Sequence, residues 1–147
     1  MTRDTLPFEI THRVRDTCLC LHVQRAARAL ARAFDEALRP VELTHGQFSL
    51  LMSLNRPAPP SMGSVADLLA MDRTTLTANL KPLERRGLVR VAMDPEDKRG
   101  RRLVLTAAGR ALLISAVPVW KRTHAATERR LARANPNHLR ADLRALS

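Results

Sequence analysis

Apolar residues recur at helical spacing along most of the chain, and the pattern changes to strand-like alternation only once. Over residues 11–39, Leu19, Val23, Ala26, Ala27, Leu30, Phe34 and Leu38 form one stripe with Arg25, Arg28 and Arg32 opposite. That spacing predicts one long helix ended by Pro40. The first ten residues, with Pro7 and mixed polarity, read as a loose lead-in. Thr44 and Gln47 fit a capping box, which predicts a second helix burying Phe48, Leu51 and Met52. Residues 55–60 hold three prolines and read as a stiff loop. Ser61 or Ser64 then caps a short helix carrying Val65, Leu68 and Leu69, and residues 70–72 turn into a further helix.

That further helix, DRTTLTANLKPLERRG at residues 72–87, is bounded by a good N-cap, Asp72, and by Gly87, which tolerates positive φ. At about 100° per residue, Leu76, Leu80 and Leu83 share one stripe. Thr74, Ala78, Lys81 and Arg85 fall opposite it, with Thr75 and Thr77 on the flanks. Short side chains let a helix sink into the DNA major groove, where hydroxyls reach base edges and Lys or Arg reach bases or phosphates. For an isolated helix the bland alternative is a solvated face whose charge serves only solubility. Pro82 removes the hydrogen bond to Ala78 and predicts a bend.

Residues 88–93 read as a strand, 94–100 as a turn and 101–106 as the returning strand, a hairpin with a basic tip. A helix followed directly by a β-hairpin is a winged helix-turn-helix, with the helix in the major groove and the wing able to reach the flanking minor groove. Thr106 reads as the N-cap of a fifth helix, helical from Ala111 to about Arg133 with a kink at Pro118. A last helix is expected from Pro136, capped by Asn135, with Leu139, Leu143 and Leu146 on one face. Terminal helices that are apolar on one side, beside a small lobe, suggest pairing with a second copy. The expected fold class is mainly α with a small β-hairpin wing. A winged helix-turn-helix lobe (41–107) would be joined to a dimerisation region formed by the N-terminal helix (1–40) and the C-terminal helices (108–147).

The strings DRTTLTANL (72–80), LERRGLV (83–89), DPEDKR (94–99) and LTAAG (105–109) resemble those of the multiple-antibiotic-resistance-regulator (MarR) family of dimeric DNA-binding regulators. The likeness runs from about Cys20 to about Leu112. It implies that the first helix dimerises and roofs a ligand cavity, and that Arg99 is a minor-groove arginine oriented by Asp97. It implies a repressor of a pseudo-palindromic operator on double-stranded DNA, released when a small molecule in the cleft, or cysteine oxidation, changes the spacing of the two recognition helices. The candidate DNA-binding residues are Arg73, Thr74, Thr75, Thr77, Lys81, Arg85, Asp97, Lys98, Arg99 and Arg101. Candidate cleft residues are Cys20, Gln24, Phe34, His45, Phe48 and Met52, chosen from facing position rather than from a motif.

Composition adds a polyanionic partner to this picture. The chain carries a formal charge of +11, with 25 Lys and Arg against 14 Asp and Glu. Only Lys81, Lys98 and Lys121 are lysines, so coding bias accounts for part of the arginine excess. With no Tyr and few other aromatics, base-stacking modes of single-strand or RNA binding are disfavoured. No apolar run spans a membrane and no signal-peptide core opens the chain, which reads as cytoplasmic with no membrane partner. The rival class is a sequence-neutral architectural or ribosome-associated basic protein. No catalytic triad, metalloprotease motif or phosphate-cradling glycine loop appears, so no enzyme and no cofactor are expected.

Cys18 and Cys20, two apart on one regular helix, would point about 200° from each other, which forbids a local bridge. Each is open to two readings, a small packed residue in a reducing compartment or a sensing thiol. Cys18 lies on the arginine side beside His22, and Cys20 at the edge of the apolar stripe. In the organic-hydroperoxide-sensing branch that the family resemblance brings in, a reactive first-helix cysteine precedes the second-helix Thr by the interval between Cys20 and Thr44. That branch holds its thiolate with tyrosines, whereas Phe34 and His45 stand at the matching positions here, and only His45 can hydrogen-bond. Cys18 and His22 have chelate spacing, yet a closed metal site needs further ligands, so none is expected.

Overall fold

The computed structural model describes residues 5–147 and divides at Ala33/Phe34 into two compact units. In the first, α1 (Phe8–Thr17) and the start of α2 (Leu19–Leu38) replace the single helix expected over 11–39. The helix begins within the expected lead-in and is interrupted at Cys18, whose ψ of 111° is extended. Cys18 then acts as the cap of α2. Its Sγ accepts the Leu21 N–H at 3.4 Å, and its carbonyl oxygen accepts the His22 N–H. An Nδ1 of His22 also lies 2.7 Å from that oxygen. The break removes the premise of one regular helix, so the 200° argument against a local bridge does not hold.

The second unit begins on the last turn of α2, where Leu38 is fully buried. A 3-10 turn (Arg39–Val41) leads to α3 (His45–Ser53), which opens on the expected capping box: Thr44 accepts from the Gln47 N–H and Gln47 from that of Thr44. This helix buries Phe48, Leu50, Leu51 and Ser53, while Met52 is 39% exposed and leaves the face assigned to it. In α4 (Met62–Leu68), capped by Ser61, Val65 is buried but Leu68 is 63% exposed. Seven residues give too short a helix to bury both ends of its stripe.

Between α4 and α5 (Arg73–Arg85) the chain turns through Ala70 at φ 50°. The Ala70 N–H bonds Asp67 and that of Met71 bonds Ala66, the paired bonds of a Schellman end. The same motif ends α5, with Gly87 at φ 70°, Gly87 N–H to Glu84 and Leu88 N–H to Leu83. Helix α5 continues through Pro82 without a break, and Leu76, Leu80 and Leu83 anchor it in the core. Strands β1 (Val89–Met93) and β2 (Arg101–Leu105) pair antiparallel with Val91 opposite Leu103.

The hairpin is fastened to the loop before α4. Leu103 donates to the Pro60 carbonyl, Ser61 bridges Arg102, and Arg102 Nη1 reaches Pro59 O. Helix α6 (Ala107–Arg129) starts earlier and ends earlier than expected, capped by Thr106, and passes through Pro118. Thr106 also donates its hydroxyl to Gly87 O at 2.6 Å, and Gly109 packs on the Leu88 carbonyl so closely that a Cβ there would collide with it. The end of α5 and the start of α6 are thereby joined. Helix α7 (Pro136–Ala145), capped by Asn135, buries no residue. No described helix is long and apolar enough to cross a membrane.

Candidate nucleic-acid interface

Helix α5 presents its face because its first turn is fixed. Asp72 accepts the Thr75 N–H at 2.7 Å and the Thr75 hydroxyl at 3.0 Å. These two bonds, the backbone one first, hold the Asp72 carboxyl below its ordinary pKa. Thr77 donates to Arg73 O at 2.8 Å, as hydroxyls in helices often do. Of the three threonines on this face, Thr74 alone makes no hydrogen bond through its hydroxyl among the described residues. Arg73, Thr74, Thr75, Thr77, Ala78, Lys81 and Arg85 are all exposed, opposite the buried leucines.

The wing tip is ordered by carboxylates acting on backbone. Asp94, buried at 8% exposure, accepts the Glu96 N–H and pairs with Arg102 Nε at 3.0 Å. Asp97 accepts the backbone N–H of Arg99 at 3.0 Å. Through that contact the carboxylate shapes the turn from which Arg99 projects, and no ion pair joins the two side chains among the described residues. Lys98, Arg99 and Arg101 are exposed around the tip.

The basic residues of the lobe divide into two groups. Arg56, Arg86, Arg102 and Arg110 donate to Ser53, Glu42, Pro59 and Asn55 and hold the lobe together. Arg73, Lys81, Arg85, Lys98, Arg99 and Arg101 are in no salt bridge among the described residues. Net charge could not separate these groups. A surface on which exposed cations have no carboxylate partner is suited to an external polyanion.

The ligand and sensor candidates are divided between the two units, with Cys18, Cys20 and Gln24 in the first and Phe34, His45, Phe48 and Met52 in the second. Cys20 and Gln24 are exposed and Cys18 is half-buried. His45 is tied to Asp35, which accepts both its N–H at 2.7 Å and a ring nitrogen at 2.8 Å; those bonds lower the Asp35 pKa. Phe34 is half-buried, and Phe48 is a core residue. Sequence reasoning missed the tier beside Phe48, in which Trp120 stacks at 6.4 Å on Phe48 and at 4.7 Å on His124. Glu128 then bonds both His124 and Arg140. The only tryptophan, followed at i+4 by a histidine and at i+8 by a glutamate, was the available signal.

Comparison with known proteins agrees with this geometry. The MarR family model matches residues 43–100. The transcriptional regulator MosR of M. tuberculosis, solved in complex with DNA, is 41% identical with a TM-score of 0.79, covering 88% of this chain and 93% of that one. BpsR of Bordetella bronchiseptica, whose DNA binding is regulated by 6-hydroxynicotinic acid, is 27% identical with a TM-score of 0.71 over 87% and 89%. The HTH-type transcriptional regulator TtmR of Methylorubrum extorquens is 39% identical over 66% of this chain, a match that spans half the length of that relative. The chain therefore belongs to the MarR family of transcriptional regulators.

Proposed function

We propose that the chain is a homodimeric, sequence-specific repressor acting in the cytoplasm on a pseudo-palindromic operator. Helix α5 enters the major groove with Thr74, Thr75 and Thr77 toward base edges and Lys81 and Arg85 toward phosphates. Arg99 enters the flanking minor groove. The observation that carries this reading is the exposed face of α5 and the wing tip, where Arg73, Lys81, Arg85, Lys98, Arg99 and Arg101 have no carboxylate partner among the described residues. Dimerisation would use the N-terminal region (1–40), with its helices α1 and α2, and the C-terminal helices (108–147) around a DNA-binding lobe (41–107). The uncovered apolar positions Leu19, Val23 and Leu30 support this. The two recognition helices must lie about one DNA turn, roughly 34 Å, apart, so a ligand that shifts this spacing releases DNA. The regulation of BpsR by 6-hydroxynicotinic acid supports a small-molecule effector, and the two free thiols support oxidation as the other route.

A regulator binds its selected operator about 10³-fold or more tightly than random DNA. Equal affinity for both would favour the sequence-neutral architectural reading. Release by an organic hydroperoxide in the wild type, lost in Cys20→Ser, would assign the switch to that thiol. Retained binding after full oxidation of both thiols would leave a non-covalent ligand as the effector.

A further inference from the structure

A cleft of about 360 Å³ separates the start of α4 from the wing, and α5 and the wing both contribute guanidiniums to it. Its floor is Ser61 to Gly63, and Arg73 stands on one wall with Arg99 and Arg101 on the other. Arg73 lies over this floor: a Cβ placed on Gly63 would lie 3.1 Å from its Nη2. Arg101 curls against the wing turn, with Nη1 donating to Gly100 O and Lys98 O and its remaining N–H groups uncommitted. The Arg101 guanidinium is thus partly fixed before any ligand arrives, which lowers the ordering cost of binding. Two carboxylates also line the cleft, and both are engaged. Asp94 is paired with Arg102 and accepts the Glu96 N–H, while Asp97 accepts the Arg99 N–H.

We infer that Arg73 and Arg101 clamp one backbone phosphate of the operator between them. The inference rests on the DNA-binding reading above and assigns this cleft within it. If α5 lies in the major groove and the wing in the adjacent minor groove, the sugar-phosphate ridge between those grooves crosses the gap between the two elements. The cleft is that gap. A phosphodiester there meets one guanidinium from each side, each able to donate two parallel hydrogen bonds. Arg73 and Arg101 are then positioning contacts that carry no sequence information, unlike Thr74 on the outer face. Because both neutralise the same charge, they count as one contact in the salt dependence.

The test uses the full chain, an operator selected from random duplexes and a scrambled duplex of the same composition. Binding is titrated at several salt concentrations for wild type, Arg73→Gln, Arg101→Gln and the double variant; both positions are exposed, and unchanged melting confirms the fold. Each single variant should weaken both duplexes by the same factor and leave the slope of log K against log salt nearly unchanged, because the remaining arginine still neutralises the phosphate. The double variant, which leaves that phosphate without a cation, should lose about one unit. A loss near two units would put the arginines on separate phosphates, and a changed operator-to-scrambled ratio at constant slope would make them base readers; either result overturns the clamp. Neutral methylphosphonates placed one at a time should reveal a position that weakens the wild type and leaves the double variant unaffected. Finding none also overturns it. Inorganic phosphate alone, at constant ionic strength, should not shift the arginine side-chain signals, and a saturable shift would make the cleft a free-anion site instead. If the wild type fails to distinguish the two duplexes, the repressor reading falls, while the slopes on either duplex still decide the clamp.

Discussion

Every buried apolar residue of the described chain lies between Leu38 and Ala116, whereas α1 and the part of α2 up to Ala33 bury none. Both regions carry apolar residues at helical spacing. In the lobe the spacing is satisfied within one chain: Leu51, Val65, Leu76, Leu83 and Leu103 are all fully buried. In the N-terminal unit the same kind of stripe stays open, with Leu19 at 68% exposure. Periodicity therefore says that a face will be covered, and it does not say by which chain. A closed core specifies the lobe and the surface it exposes, while an open stripe is what the proposed dimer would cover.

The contrast can be broken hardest inside the lobe. Gly109→Ala drives a Cβ into the Leu88 carbonyl at the joint between α5, β1 and α6. It should cost roughly 3 kcal/mol of stability, read by chemical denaturation. An unchanged midpoint would mean that the joint is loose. In the N-terminal unit, Val23→Glu should leave helix content intact and weaken the dimer about 100-fold, or about 2.7 kcal/mol, measured by sedentation equilibrium in a centrifuge. An unaltered dimer would place the interface elsewhere.

At the surface of the lobe, Arg99→Ala should weaken operator binding more than tenfold, about 1.4 kcal/mol, with dimer and melting temperature unchanged. Wild-type affinity would reduce the wing tip to a solvated turn. The smallest effect belongs to the two Schellman ends. Gly87 meets its left-handed φ without a side chain, whereas Ala70 holds φ 50° with one. Ala70→Gly relieves that strain and gives back part of it as unfolded-chain entropy, so a net gain of about 0.5 kcal/mol is expected. A loss would show that the Ala70 methyl is needed for packing.

Where the signal was local, the sequence was legible. The caps at Thr44, Asp72, Thr106 and Asn135 use side chains within three residues of the groups they satisfy, and all four are formed. The two strands and the basic tip of the wing followed from alternation and a seven-residue turn. The break at Cys18 was not legible, because a thiol accepting a backbone N–H leaves the apolar period intact. Nor was the wing's attachment through Asp94, Arg102 and Pro60, whose members are distant in sequence. Met52 and Leu68 read as core by spacing, yet short helices α3 and α4 bury fewer positions than their stripes offer. The exposed face of α5 was visible in sequence; that its cations lack carboxylate partners among the described residues required the fold.

The central claim, that α5 and the wing together form the reading surface of a symmetric operator complex, is tested most directly by hydroxyl-radical footprinting on a selected operator. Two protected half-sites should appear with centres about one helical turn apart, roughly 10 base pairs, each flanked by minor-groove protection that Arg99→Ala removes. A single continuous footprint without two-fold symmetry, or flanking protection that survives Arg99→Ala, would contradict it.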